Sequence, residues 1–302
     1  MELAMIGLGR MGANMAERLL KGGHRVISYD TNPGAVALMR DKGAVPATSI
    51  KKAAEALSHP RVFWIMVPAG QPVDDVLEAI YAVADSGDVL VDGGNSHYQD
   101  TLRRAADAST RKLRYMDVGT SGGIWGLAEG YSMMVGGDKD AVELLRPALE
   151  TLAPSGEKGW GHVGPVGAGH FVKMIHNGIE YGMMQAYAEG FSILQHKKDF
   201  ELDLHQVSEI WRCGSVVRSW LLDLMSEALG ENPGLAGVAP YVADSGEGRW
   251  TLTEALDLNV PAPAITAALL ERIRSREADS FADRLLSVTR NKFGGHPVKR
   301  DG

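Results

Sequence analysis

Cysteine is all but missing. Cys213 is the single one in 302 residues, so no disulfide can close within the chain. No second thiol or imidazole stands at metal-ligand spacing from it, so a structural zinc is not expected. A reducing cytoplasm is the compartment that fits. Long apolar runs are missing too: none approaches the ~18 residues that a membrane span requires. Positive charge is in deficit, with a net charge of −7. A nucleic-acid partner is therefore not expected. An anionic substrate would need a local cationic pocket to draw it in against the overall field. Met1 to Ile6 lead straight into a strand, turn and helix, so no signal peptide is expected. No internal repeat or low-complexity segment stands out.

What is present is ordinary globular material, 23% charged and 45% hydrophobic, long enough for two domains. Leu3-Ala-Met-Ile6 is a short apolar run, followed by Gly7-Leu-Gly9-Arg-Met-Gly12 and then by helical spacing from Ala13 to Leu20. A GxGxxG motif between a strand and a helix points to dinucleotide binding. Gly7 permits the tight turn, Gly9 lets backbone approach a pyrophosphate, and Gly12 lets helix and strand pack closely. The helix N-terminus then faces the phosphates. A second strand, Arg25 to Tyr29, ends in Asp30, 18 residues past Gly12. A carboxylate at about that distance accepts from a ribose 2′-hydroxyl and repels a 2′-phosphate, which favours NAD over NADP. The alternative is that Asp30 merely opens the turn Thr31-Asn-Pro-Gly34, although Asn32 and Pro33 already supply a cap and first position for the next helix.

Strands and helices go on alternating. Apolar runs at 61–67, 88–91, 113–118 and 131–135 read as strands, with helical spacing at 73–84, 97–109 and 138–152. Such alternation implies an α/β, Rossmann-type doubly wound sheet, mostly parallel. Ligands of such sheets lie beyond the carboxyl ends of the strands. Asn95 and Ser121-Gly122-Gly123 fall there. The two glycines offer bare backbone N–H groups to an anion, or else serve the turn alone. Ser96 could equally cap a helix. The glycine-dense stretch Lys158 to Gly167 reads as the boundary. It divides a dinucleotide-binding domain, 1–165, from an all-α domain, 166–302. Helices are expected there at roughly 167–196, 203–213, 215–229, 251–258, 261–275 and 277–290, and no strands.

The first of those helices carries the densest chemistry. Lys173, His176, Asn177 and Glu180 stand at offsets 0, 3, 4 and 7, one stripe about two turns long. An amine, an imidazole, an amide and a carboxylate in line form an acid/base set. The competing reading is a solvated face with a Lys/Glu pair. Against it, Gly178 and Gly182 weaken a helix by roughly 1 kcal/mol each relative to Ala, which suggests that something approaches closely. The flanks are apolar, as in a helix buried in a larger body.

Taken together, these stretches resemble the 3-hydroxyacid dehydrogenase superfamily and, within it, the 6-phosphogluconate dehydrogenase family. The matching pieces are Gly7 to Asn14, Met66-Val-Pro-Ala-Gly70, Asp92-Gly-Gly-Asn-Ser96, Ser121-Gly-Gly123, Gly169 to Tyr181, Gly246-Glu-Gly-Arg-Trp-Thr251 and Arg290-Asn-Lys-Phe-Gly-Gly-His296. The first two are shared across the superfamily. The segment 169–181 and the tail are far more specific. The chain resembles the family's short-chain, NAD-preferring branch, which lacks the duplicated half of the helical domain.

The resemblance implies metal-independent oxidative decarboxylation of 6-phosphogluconate to ribulose 5-phosphate and CO2, with NAD as cofactor. It implies Lys173 as base and then acid, Glu180 as the acid that protonates C1, and Asn177 as the group that orients the substrate. His176, Asn95, Ser121, Gly122 and Gly123 would hold hydroxyls and carboxylate. Tyr181, Arg272 and Arg290 would hold the phosphate, and His296 would reach the sugar. Cofactor contacts would come from Gly7, Gly9, Arg10, Met11, Gly12, Asp30, Val67, Pro68 and Asn95. In longer members the tail comes from the partner subunit, so a homodimer or homotetramer with a shared active site is implied. The chain departs from the longer form at Ser245 and Glu247, where that form has lysine and threonine in its phosphate loop. The alternative within the superfamily is a 3-hydroxyisobutyrate or tartronate-semialdehyde type of dehydrogenase. Such an enzyme needs the lysine but not the Glu180 acid.

Overall fold

The computed structural model describes residues 1–300. Its strands are β1 Glu2–Ile6, β2 Arg25–Tyr29, β3 Val45–Pro46, β4 Val62–Ile65, β5 Val89–Asp92, β6 Arg114–Ser121, β7 Ser132–Gly136 and β8 Trp160–Gly164. They form one eight-stranded sheet in the order β3-β2-β1-β4-β5-β6-β7-β8. Every neighbouring pair is parallel except β6 and β7, which run antiparallel. Alternate strand residues face opposite layers. Leu3, Met5, Trp64, Val91 and Met116 join one buried cluster, and Ala4, Ile6, Phe63, Ile65 and Leu90 join the other.

The helices between them are α1 Arg10–Lys21, α2 Pro33–Asp41, α3 Ile50–Glu55, α4 Gln71–Tyr81, α5 Tyr98–Thr110, α6 Gly126–Glu129 and α7 Lys139–Leu152. Then follow α8 Ala168–His196, α9 Leu204–Arg212, α10 Trp220–Glu231, α11 Glu247–Asp257, α12 Pro263–Arg274 and α13 Phe281–Gly294. Helix α2 starts where Asn32 accepts from the Gly34 N–H at 2.9 Å. Helices α10 and α13 start at Ser219 and Ser280, whose hydroxyls accept from Leu222 and Asp283. These caps set both starts later than apolar spacing alone suggests.

The glycine-dense stretch holds a strand that its composition hides. Trp160–Gly164 pairs parallel with β7, with a register shift at Val135/Gly136. None of its residues is fully buried. Backbone hydrogen bonds therefore carry the pairing, and no apolar alternation advertises it. Strand β3 is only two residues long and leaves as little trace.

The chain divides into two compact units, Met1–Asn177 and Gly178–Gly302, and the division falls inside α8. The second unit is helical, with small buried clusters around Tyr181, Ala268 and Leu269 and around Phe191, Leu222 and Leu229. Helix α8 is not buried all round: Ile179 and Ile193 are 53% and 71% exposed. No helix among the described residues is long and apolar enough to cross a membrane.

Candidate active site

The glycine-rich turn is built by close approach. Gly7 has φ +94°, and a Cβ there would lie 2.5 Å from the Met66 carbonyl oxygen. A Cβ on Gly12 would lie 2.1 Å from the Gly7 carbonyl oxygen, whereas one on Gly9 would face open space. Gly9 caps α1 with extended backbone and no side-chain acceptor, and the first turn carries no acid. Its N–H groups therefore point to where a phosphate can take them. Arg10 is exposed and Met11 half-buried beside the turn.

Asp30 opens the turn, as the alternative reading of it expects. One oxygen accepts from the Leu8 N–H at 2.6 Å and the other from the Asn32 N–H at 2.7 Å. It ties the glycine-rich turn to the start of α2. A carboxylate has about four acceptor directions, so two remain for a ribose. The residues present thus fit a dinucleotide.

The loops after β4 and β5 are held from beneath by a residue that sequence reasoning missed. Arg104 of α5 is 1% exposed. It donates to the Gly70 carbonyl at 2.9 Å, to Asp74 at 2.8 Å and to Ser96 Oγ at 3.3 Å. Ser96 in turn donates to Asp92 at 2.7 Å, as does the Tyr115 hydroxyl at 3.2 Å. Burial and the Asp92 charge push the Tyr115 hydroxyl well above its usual range, which keeps it a donor. Ser96 is therefore a member of this network, and His97 is the cap of α5. Asn95 projects as an exposed residue from the loop so anchored, and Val67 and Pro68 lie on the other loop.

Ser121 ends β6, and Gly122 and Gly123 have φ +127° and +52°. Turn geometry by itself thus calls for both glycines. On α8, Lys173 is 7% exposed. Its Nζ donates to Asn177 Oδ1 at 2.7 Å and lies 3.3 Å from His176 Nδ1. The first three members of the stripe therefore meet as side chains, and Glu180 follows on the same helix, half-buried.

In the second unit, Tyr181 is buried. Its hydroxyl lies 3.3 Å from Ser245 Oγ, which donates to Glu247. The Arg272 guanidinium stacks on the Tyr181 ring, 3.5 Å from its centre, and donates to the Ala243 carbonyl at 3.0 Å. Gly178 admits Thr251, since a Cβ there would lie 2.6 Å from the Thr251 methyl, whereas Gly182 has nothing near it. Arg290 and His296 are exposed. Among the described residues they make no hydrogen bond or ion pair with the Tyr181 cluster, and His296 accepts through its carbonyl from Asn291 at 2.8 Å. No group of three or more His, Cys, Asp or Glu among the described residues could hold a metal ion.

Sheet order, glycine-rich first turn and open helix N-terminus define a dinucleotide-binding protein with a helical second part. Residues 2–164 match the family model of the NAD binding domain of 6-phosphogluconate dehydrogenase, and residues 169–296 that of its C-terminal domain. The chain is 45% identical over 301 residues to the NAD(+)-dependent, decarboxylating 6-phosphogluconate dehydrogenase of Haloferax volcanii, covering 99% of each. It is 34% identical over 312 residues to the NADP(+)-dependent, decarboxylating enzyme of Bacillus subtilis, covering 96% of this chain and 66% of that one. Its fold matches that of Plasmodium falciparum 6-phosphogluconate dehydrogenase, solved in apo form, with NADP+ and with 6-phosphogluconate. The TM-score is 0.84 at 26% identity, over 100% of this chain and 66% of that one. The chain thus spans about two-thirds of the length of these longer relatives. It belongs to the 6-phosphogluconate dehydrogenase family, whose members include both NAD- and NADP-dependent enzymes.

Proposed function

We propose that the chain catalyses oxidative decarboxylation of 6-phospho-D-gluconate to D-ribulose 5-phosphate and CO2, in the cytoplasm, with NAD preferred. The observation that carries the reading is the Lys173 amine, buried yet hydrogen-bonded to Asn177 at 2.7 Å and within reach of His176. Bound NAD supplies the hydride acceptor. Lys173 takes the proton of the C3 hydroxyl as hydride leaves C3. It then returns that proton to the C3 carbonyl oxygen as CO2 departs from the β-keto acid. An ammonium beside that oxygen stabilises the developing enolate, so no metal is required. Glu180 delivers a proton to C1 of the enediol. Asn177 and His176 orient the sugar acid, while Asn95, Ser121 and the Gly122 and Gly123 amides hold hydroxyls and carboxylate.

Arg272 and Tyr181 take the phosphate end, joined by Arg290 of the tail, and His296 reaches the sugar. Guanidinium forks suit phosphate oxygens. Asp30 supports the NAD preference, because a 2′-phosphate would meet its carboxylate. The free thiol of Cys213 is exposed, which suits a reducing compartment.

Initial rates with 6-phosphogluconate, gluconate and 3-hydroxyisobutyrate, each with NAD and NADP, test this reading. Ribulose 5-phosphate formed fastest from 6-phosphogluconate with NAD is the expected product. Its absence ends the proposal. Lys173→Met should lower kcat by about 10³-fold, within the range of general acid–base catalysis.

A further inference from the structure

Helix α8 lacks a cap of its own. The Gly167 carbonyl accepts the first helical hydrogen bond, from Phe171 N–H at 3.0 Å, so Gly167 is the capping residue and has no side chain to cap with. Three positions on, His170 turns its ring to Thr101, Nδ1 to Oγ1 at 2.7 Å, instead of reaching back. Both jobs fall to Asp117 of β6, which is fully buried. Its Oδ1 accepts from the Gly167 N–H and its Oδ2 from the His170 N–H, each at 2.7 Å. One carboxylate, 50 residues upstream, thus replaces both halves of a capping box. It also meets the positive end of the helix dipole.

Two residues along the same strand face, Gly119 lies beneath Lys173. A Cβ there would stand 2.4 Å from Lys173 Cβ and 2.6 Å from the Gly169 carbonyl oxygen. Gly136 and Gly169 clear the same contact: a Cβ on the first would lie 2.4 Å from Asp117 Oδ1, and one on the second 2.5 Å from the Met134 carbonyl oxygen. Two residues further again on β6 comes Ser121. Strand residues at i, i+2 and i+4 share a face. Cap, seat and substrate-facing residue are therefore spaced along one edge of one strand.

We propose that Asp117 and Gly119 are positioning residues that index α8 on β6, and so set where the Lys173 amine stands relative to Ser121-Gly122-Gly123. The inference rests on the role given to Lys173 above. Neither residue touches substrate. Asp117 fixes the helix along its axis at the first turn, and Gly119 fixes the depth at which Lys173 rides on the strand.

Gly119→Ala should lower kcat with 6-phosphogluconate about 100-fold while the Kd for NAD stays within about threefold, as expected of a reacting group misplaced by about 1 Å. Asp117→Asn keeps the shape of the side chain but opposes one N–H with an amide NH2, and should lower kcat about tenfold with NAD binding likewise kept. This variant carries the test if Gly119→Ala fails to fold. In both, the ¹³Cε resonance of Lys173, assigned by its loss in Lys173→Met, should move. A role confined to stability would lower the thermal midpoint yet leave kcat per folded molecule and that resonance unchanged, and this outcome overturns the proposal. If the parent protein turns over no substrate, the functional reading fails by itself. The lysine resonance then decides the indexing role alone: movement supports it, and a fixed signal rejects it.

Discussion

Asp30 has both oxygens engaged by backbone, one on the glycine-rich turn and one on the next. Replacing it with alanine therefore removes a charge and two structural acceptors together. Asn at this position removes the charge and keeps one of the two acceptors, setting its NH2 against the other N–H. Asp30→Asn is expected to raise kcat/KM with NADP relative to NAD by about tenfold, equivalent to 1.4 kcal/mol, with a smaller loss of thermal midpoint than Asp30→Ala. An unaltered ratio in both variants would mean that Asp30 serves the turns and leaves the ribose to others. The glycines, Asp30 and the Lys173 stripe were legible because their partners lie close in sequence: a turn, a strand length, a helical offset. Asp117 was not, since it reads as one acid in a strand, and the N–H groups it satisfies stand 50 and 53 residues away.

At the scale of elements, one buried arginine joins α5 to the loops after β4 and β5. Truncating Arg104 to Met would leave the buried Asp92 without its cation and Asp74 with Arg103 alone, and should destabilise the protein by about 3–5 kcal/mol in chemical denaturation. The hydrogen bond from Arg104, with one from Arg103 and against the opposing effect of burial, holds the Asp74 carboxyl below its usual range. A lowered folded value means stability that is present above the unfolded value of about 4 and lost as pH falls through the folded one. Urea midpoints should accordingly drop as pH falls below about 4, and Asp74→Asn should flatten part of that drop. An identical acid profile in the variant would show that the loss arises elsewhere. The same scale shows why β8 escaped a reading from sequence. A partly exposed edge strand rich in glycine signals no apolar period, whereas β1, β4 and β5 carry continuous apolar runs that only a sheet covered on both faces explains.

For the molecule as a whole, the last helix is the anomaly. No residue of α13 is buried, and Phe281, Leu286 and Phe293 are 71%, 62% and 91% exposed. Apolar side chains left bare there suit an interface between copies, which the shared active site implied by the family resemblance would need. Light scattering should give two or four times the 32.5 kDa of one chain. Leu286→Asp with Phe293→Asp should shift that mass downward and lower activity together. A monomeric parent at full activity would rule the shared site out. The borrowed cap on α8 has a separate consequence for how such a protein comes into being. A helical half made alone, from residue 168 onward, would own the amine and the carboxyl but not the acid that closes their helix. On the indexing role proposed above, the first turn of α8 would fray in such a fragment and hold the Lys173 amine in no fixed place.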